Sequence, residues 1–207
     1  MNHKERIIMN YIVETILFDK EIIKKFLNKI DYISNEVLKI YNSNNLFLEI
    51  KNDKSPITLA DKISHKILVS FLEDLKFNIP IISEENFTKS TLNYGDLPYW
   101  LIDPLDGTKE FIAKNDEFTI NIALIKNKKT IFGFVGVPCN YEIYWGGKNF
   151  GSWKKNIRDD HKIKLKVKKL SQKIKIAVSR SHLSLETKNY LNRISDHYEL
   201  HPAGSSL

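Results

Sequence analysis

The chain has 207 residues, 42% of them hydrophobic and 28% charged, enough apolar material for one large domain or two small ones and too much for a disordered chain. Its net charge is +7, yet ten basic and two acidic residues between Lys154 and Lys175 account for all of it. Only four of the 32 basic residues are Arg (Arg6, Arg158, Arg180 and Arg193), which argues against a nucleic-acid partner, because Arg supplies most bidentate base and phosphate contacts.

The basic segment therefore reads as a solvated face or as an attractor of anionic substrate. No apolar run approaches the ~20 residues of a membrane span, so no integral membrane segment is expected. Charges at Lys4, Glu5, Arg6, Glu14, Asp19 and Lys20 argue against a secretory signal. Cys139 is the only cysteine, which excludes an internal disulfide and a thiolate metal site; Cys139 and Trp145 are expected to pack in strands, with no chemical role. The expected compartment is the cytoplasm, free or peripheral on the cytoplasmic face of the inner membrane.

Apolar residues at spacings of three and four (Ile22, Ile23, Phe26, Leu27, Ile30, Ile33, Val37, Leu38) predict a helix over 20–41. A second helix is predicted over 59–75, with Thr58 and Asp61 as a capping-box variant at its start. Strands follow at 79–83 and at 99–102, the latter stopped by Asp103-Pro104. Residues 118–125 and 130–137 form a predicted hairpin around Asn127-Lys128-Lys129. Shorter strands are expected at 142–145 and 151–154. Residues 162–168 alternate Lys with apolar residues, as an edge strand whose apolar side packs. A strand at 173–179, a helix at 183–194 and a strand near 198–201 begin a βαβ-like unit. The fold class is α+β passing into α/β, with an N-terminal α+β domain over 1–168 and a C-terminal α/β domain beginning at 169.

The chemistry concentrates in Trp100-Leu101-Ile102-Asp103-Pro104-Leu105-Asp106-Gly107-Thr108. Two carboxylates lie three residues apart just after an apolar strand. Gly107 allows close approach of backbone to a ligand, and Thr108 offers a hydroxyl. Clustered hard oxygen donors suit Mg²⁺. Two further acidic elements join this one: Ser83-Glu84-Glu85 after a short strand, and Asp61 at the start of a helix.

Taken in order, Ser55-Pro56-Ile57-Thr58-Leu59-Ala60-Asp61, Ser83-Glu84-Glu85 and Trp100 to Thr108 resemble the motifs of the magnesium-dependent, lithium-sensitive inositol monophosphatase superfamily. The run Lys109-Glu110-Phe111, then Asn115 to Ile125, is similar to its bacterial 3′(2′),5′-bisphosphate nucleotidase branch, as are Ser179-Arg180-Ser181-His182 and Gly204-Ser205-Ser206-Leu207. The resemblance implies a layered sugar-phosphatase fold. It implies hydrolysis of the 3′-phosphate of adenosine 3′,5′-bisphosphate (PAP), giving AMP and phosphate, with two or three Mg²⁺ ions and inhibition by Li⁺.

The same resemblance implies roles. Glu84, Asp103, Asp106 and the Leu105 carbonyl would be metal ligands. Glu84 and Thr108 would position and deprotonate water, and Asp61 would hold the water shell of a further ion. Glu84, Leu105, Asp106, Gly107 and Thr108 would meet the substrate. Arg180 and His182 would be surface residues, or would meet the second phosphate or the ribose at the mouth of the site. Lys109 is either a phosphate contact or an exposed loop residue. The family's later Trp-Asp motif is absent from the 207 residues, so the expectation is a truncated second domain. Alternative readings are an inositol or sugar phosphate phosphatase, an inactive remnant, or a binding protein using the 154–175 strip. The protein would be a monomer or homodimer.

Overall fold

The computed structural model describes residues 11, 13, 19–43, 46–51, 55–86, 97–169, 174–180, 183–194 and 198–204. Helix α1 spans Lys20–Tyr41. Asp19 caps it, its Oδ1 accepting the N–H of Glu21 at 2.7 Å and of Ile22 at 3.2 Å. Its apolar stripe is buried, with Phe26, Ile30, Ile33 and Val37 wholly inaccessible. A short antiparallel pair, β1 (Glu49–Ile50) and β2 (Pro56–Ile57), leads into α2, Leu59–Asp74.

The main sheet has seven strands in chain order: β3 (Ile81–Ser83), β4 (Tyr99–Asp106), β5 (Thr119–Lys126), β6 (Lys129–Val137), β7 (Glu142–Gly147), β8 (Gly151–Asn156) and β9 (Lys162–Leu165). The β3–β4 pair is parallel and the remaining pairs are antiparallel. Helix α3, Thr108–Ile112, joins β4 to β5. A separate parallel pair, β10 (Ile174–Ser179) and β11 (Tyr198–Ala203), is linked through α4, Leu185–Ile194.

Helices α1 and α2 pack on the sheet through aromatic residues. The Phe26 ring stacks on Phe134 (centroids 4.6 Å apart, planes 9° apart) and meets Phe71 edge-on at 4.9 Å. Trp100 of β4 completes this cluster at 5.4 Å from Phe26. Such ring pairs add about 0.5–1.5 kcal/mol each beyond the burial of their area. The core therefore clamps α2 and β4, the two elements that carry Asp61 and Asp103, in fixed relation.

Three expectations need correction. The strand from Tyr99 does not stop at Asp103-Pro104 but continues to Asp106. Pro104 is tolerated because the β4–β5 register shifts between Asp103 and Asp106, and β3 pairs only as far as Ile102, so no ladder bond is asked of its nitrogen. On β9 the apolar side does not pack: Ile163 is 45% exposed and Leu165 36%, because the strand is the sheet edge and no described element covers that face. Cys139 lies in a 3₁₀ turn (Pro138–Asn140) instead of a strand, its thiol 3.5 Å from Asp116 Oδ1. The hairpin between β5 and β6 is as expected, with Asn127 and Lys128 both at positive φ, the geometry of a tight two-residue turn.

Candidate active site

The β3–β4 register builds the acidic centre. Ser83 pairs with Ile102, so the next residues, Glu84 and Asp103, fall side by side. The Glu84 and Asp106 carboxyl groups both act on Asp103 as nearby negative charges. Burial, then Glu84, then Asp106 push the Asp103 carboxyl up to about 8. Asp103 Oδ1 is buried without a hydrogen-bond partner. A buried, unsatisfied carboxylate oxygen beside two further acids is a donor set suited to a hard divalent cation. Among the described residues, no three acidic, His or Cys side chains already present their donor atoms as a closed metal cage.

The cation at this centre comes from the chain. Lys51, next to β1, lies 2.8 Å from Glu85 Oε2 and 3.8 Å from Glu84 Oε1. Burial works to lower the Lys51 ammonium, but Glu85 and then Glu84 outweigh it and hold the pKa above its ordinary value. Lys51 was not among the residues singled out from the sequence, and a lysine in a polar stretch offers no signal there.

Asp61 is 1% exposed at the start of α2. Its Oδ2 accepts the Thr58 N–H at 2.7 Å and the Thr58 hydroxyl at 2.6 Å, closing the capping box. Its Oδ1 is 3.2 Å from Thr108 Oγ1. The Thr108 hydroxyl also lies 3.3 Å from the Leu105 carbonyl, so one proton is divided between two acceptors. Burial raises the Asp61 carboxyl, and its Thr58 hydrogen bonds oppose that rise. Two buried serines brace the site. Ser64 of α2 donates to the Pro104 carbonyl at 2.7 Å, and Ser83 Oγ sits 2.8 Å from His65 Nδ1. Ser83 belongs to the Ser83-Glu84-Glu85 motif, whereas Ser64 did not stand out in the sequence.

Gly107 has φ +91° and ψ +39°. A Cβ there would lie 2.8 Å from the Glu117 carbonyl oxygen, so both conformation and space call for glycine. The turn delivers Thr108 to the first position of α3, whose opening N–H groups lie outside the helical ladder. A cleft of about 240 Å³ opens here. Ser55, Glu84, Asp106, Gly107, Thr108 and Lys109 line it, together with Ser179 and Gly204 from the end of the small sheet.

Of the residues predicted from sequence, Glu84, Asp106, Gly107 and Thr108 thus line one cleft, with Asp103, Asp61 and Leu105 in contact with them. Lys109 is exposed at its rim. Arg180 follows Ser179, which lines the cleft, and its guanidinium is taken by Glu117. His182, Ser181 and Ser205 to Leu207 lie outside the described residues. No helix among the described residues is long and apolar enough to cross a membrane.

The model of the inositol monophosphatase family matches residues 19–206. The chain is 37% identical, over 157 residues, to the 3′(2′),5′-bisphosphate nucleotidase CysQ of Escherichia coli K12, covering 76% of this chain and 62% of that relative. The chain thus spans about 62% of the length of that curated relative. The crystal structure of CysQ from Bacteroides thetaiotaomicron superimposes with a TM-score of 0.74 at 28% identity, over 91% of this chain and 74% of that one. An IMPase/NADP phosphatase complexed with Mg²⁺ and phosphate shares the fold at 19% identity and a TM-score of 0.66, over 88% of this chain and 66% of that one. With a family match across nearly the whole described chain, and the family's three acidic motifs gathered on one cleft, the chain belongs to the inositol monophosphatase family.

Proposed function

We propose that this protein is a magnesium-dependent phosphatase that removes the 3′-phosphate of PAP to give AMP and phosphate. The observation that carries this reading is the meeting of Glu84, Asp103 and Asp106 beside the Gly107–Thr108 turn. The nucleotide is favoured over inositol phosphates by the 37% identity, over 157 residues, to a 3′(2′),5′-bisphosphate nucleotidase. The lone cysteine supports a reducing, cytoplasmic setting, and the chain would act as a monomer or homodimer.

Glu84, Asp103, Asp106 and the Leu105 carbonyl would hold Mg²⁺, two or three ions in all, with Li⁺ as an inhibitor. When bound, the metal supplies neutralisation of the phosphate dianion and activation of water as a nucleophile. The rest falls to the chain's own groups. The Gly107 and Thr108 N–H groups would donate to phosphate oxygens. The Thr108 oxygen, its own proton directed to Asp61, would accept a proton from the attacking water. Asp61 would take the Thr108 proton in turn, as a base held in place by two Thr58 hydrogen bonds. Glu84, the most exposed of the acids, would orient that water from the cleft side.

The test is phosphate release with Mg²⁺ from PAP, inositol 1-phosphate and fructose 1,6-bisphosphate at equal concentration. Release from PAP at least about tenfold faster than from the others, a gap of ~1.4 kcal/mol in barrier, supports the reading. Preference for either of the other substrates replaces it with an inositol or sugar phosphate phosphatase.

A further inference from the structure

Arg180 follows β10 and Gly204 follows β11. Parallel pairing of Ser179 with Ala203 brings both to the same end of the small sheet. The Arg180 N–H donates to the Ala203 carbonyl at 2.9 Å, locking the two chain ends together. From there the guanidinium reaches across to Glu117. Its Nε donates to Oε2 at 3.0 Å, and a terminal nitrogen donates to Oε1 and, at 3.2 Å, to the Pro202 carbonyl. The Gly204 N–H donates to the same Oε2 at 2.7 Å. One carboxylate therefore collects three donors from residues 63 and 87 positions away.

Glu117 also touches the Gly107 turn. Its carbonyl oxygen is the atom that a Cβ on Gly107 would strike. A Cβ on Gly204 would come 2.2 Å from Glu110 Cγ and 3.0 Å from Glu117 Oε2, so the small sheet approaches Glu110 and Glu117 with no side chain between. Ser179 and Gly204 line the cleft as a result. The Arg180 and Glu117 side chains are 47% and 32% exposed, and an ion pair so exposed contributes little to global stability. The planar guanidinium fork does fix orientation.

We propose that Glu117 and Arg180 are positioning residues that latch the Ser179 and Gly204 end of the small sheet onto the Gly107–Thr108 turn and so set the width of the cleft. Arg180 acts through Glu117 and does not contact substrate. The kinetic part of this inference rests on the phosphatase reading; the structural part does not.

The experiment compares Arg180→Ala, Arg180→Lys, Glu117→Ala and the double alanine variant of this chain. The first readout needs no substrate: hydrogen exchange of the Gly204 amide. Arg180→Ala should speed it on the order of tenfold although the acceptor on Glu117 remains, and Arg180→Lys should recover part of the protection. The second readout is KM and kcat for PAP with Mg²⁺. Each alanine variant should raise KM by a similar factor, roughly tenfold, with a much smaller change in kcat. The double variant should add no more, as expected of two groups acting as one unit. A raised KM in Arg180→Ala with none in Glu117→Ala would make Arg180 a substrate contact and overturn the latch. Unchanged Gly204 exchange in Arg180→Ala, or faster exchange with unchanged KM, would overturn it as well. If the unmodified chain releases no phosphate from PAP, the phosphatase reading fails, and Gly204 exchange still decides the latch.

Discussion

Thr108 Oγ1 and Asp61 Oδ1 lie 3.2 Å apart across 47 residues of sequence, one at the start of α3 and the other in the first turn of α2. The other Asp61 oxygen is fully engaged by Thr58, so the carboxylate has one direction left in which to act. A capping residue is thereby aimed at the cleft through a hydroxyl.

This relationship predicts the effect of Asp61→Asn. With its oxygen in the Oδ2 position the amide keeps both Thr58 hydrogen bonds, but the NH2 group it turns toward Thr108 cannot take a proton. Turnover of PAP should fall by about 10²–10⁴-fold, the usual value of general base catalysis. Thr108→Val should cost a comparable factor and Thr108→Ser far less. Steady-state kinetics of the three variants checks this. Full activity in Thr108→Val would remove the hydroxyl from the mechanism.

The Asp103 carboxyl makes stability depend on pH. Its folded pKa, near 8, lies above its unfolded value, so the folded chain retains a proton that the unfolded chain releases. The stabilisation is complete below the unfolded value and is lost as pH rises toward 8. Without metal, the melting temperature should fall between pH 5 and pH 8.5, and Asp103→Asn should flatten that slope. Mg²⁺ competes for the same carboxylate, so its stabilising effect should grow with pH over this range. Thermal melts in EDTA and in excess Mg²⁺ measure both. Parallel pH profiles for Asp103→Asn and the unmodified chain would count against the assignment.

Gly107→Ala probes the turn. A left-handed conformation costs a residue with a Cβ about 1–2 kcal/mol. The Glu117 carbonyl at 2.8 Å adds to this, since the backbone must move to relieve it. In a chain of this size such a loss lowers the melting temperature by roughly 2–8 °C. Activity should drop further than stability, because the displaced backbone carries Thr108. A melt and a phosphate-release assay on one sample separate the two effects.

Lys51→Met tests the internal cation. Its ammonium is 3.8 Å from Glu84, one of the proposed ligands. Removing a like charge from beside a proposed cation ligand should tighten Mg²⁺ binding, roughly fivefold for each ~1 kcal/mol of repulsion relieved. The metal-free protein should melt lower, because Glu85, whose side chain is 8% exposed, loses its ion pair. Titration calorimetry and melts report the two changes. Weaker Mg²⁺ binding in the variant would show that Lys51 supports the site.

What could be read directly from the residues was what local periodicity and short motifs encode. The stripe from Ile22 to Leu38 defined α1, because every third or fourth side chain of a helix must share a face. Asp61, Glu84, Asp103, Asp106 and Thr108 could be picked out because each belongs to a short run whose spacing survives without knowledge of the fold. What happens beyond a few residues of each motif depends on strand register and on how layers meet. The β3–β4 register decides that Glu84 faces Asp103, and packing of α2 against β4 decides that Asp61 faces Thr108. Lys51, Ser64 and Glu117 carry no local pattern, and their partners lie between 33 and 87 positions away. Arg180 was legible as a residue near the cleft, but its engagement by Glu117 was not. Only the tertiary structure decides it, because a charge pair 63 residues apart forms when two sheets stop at the same cleft, and no stretch of sequence records that meeting.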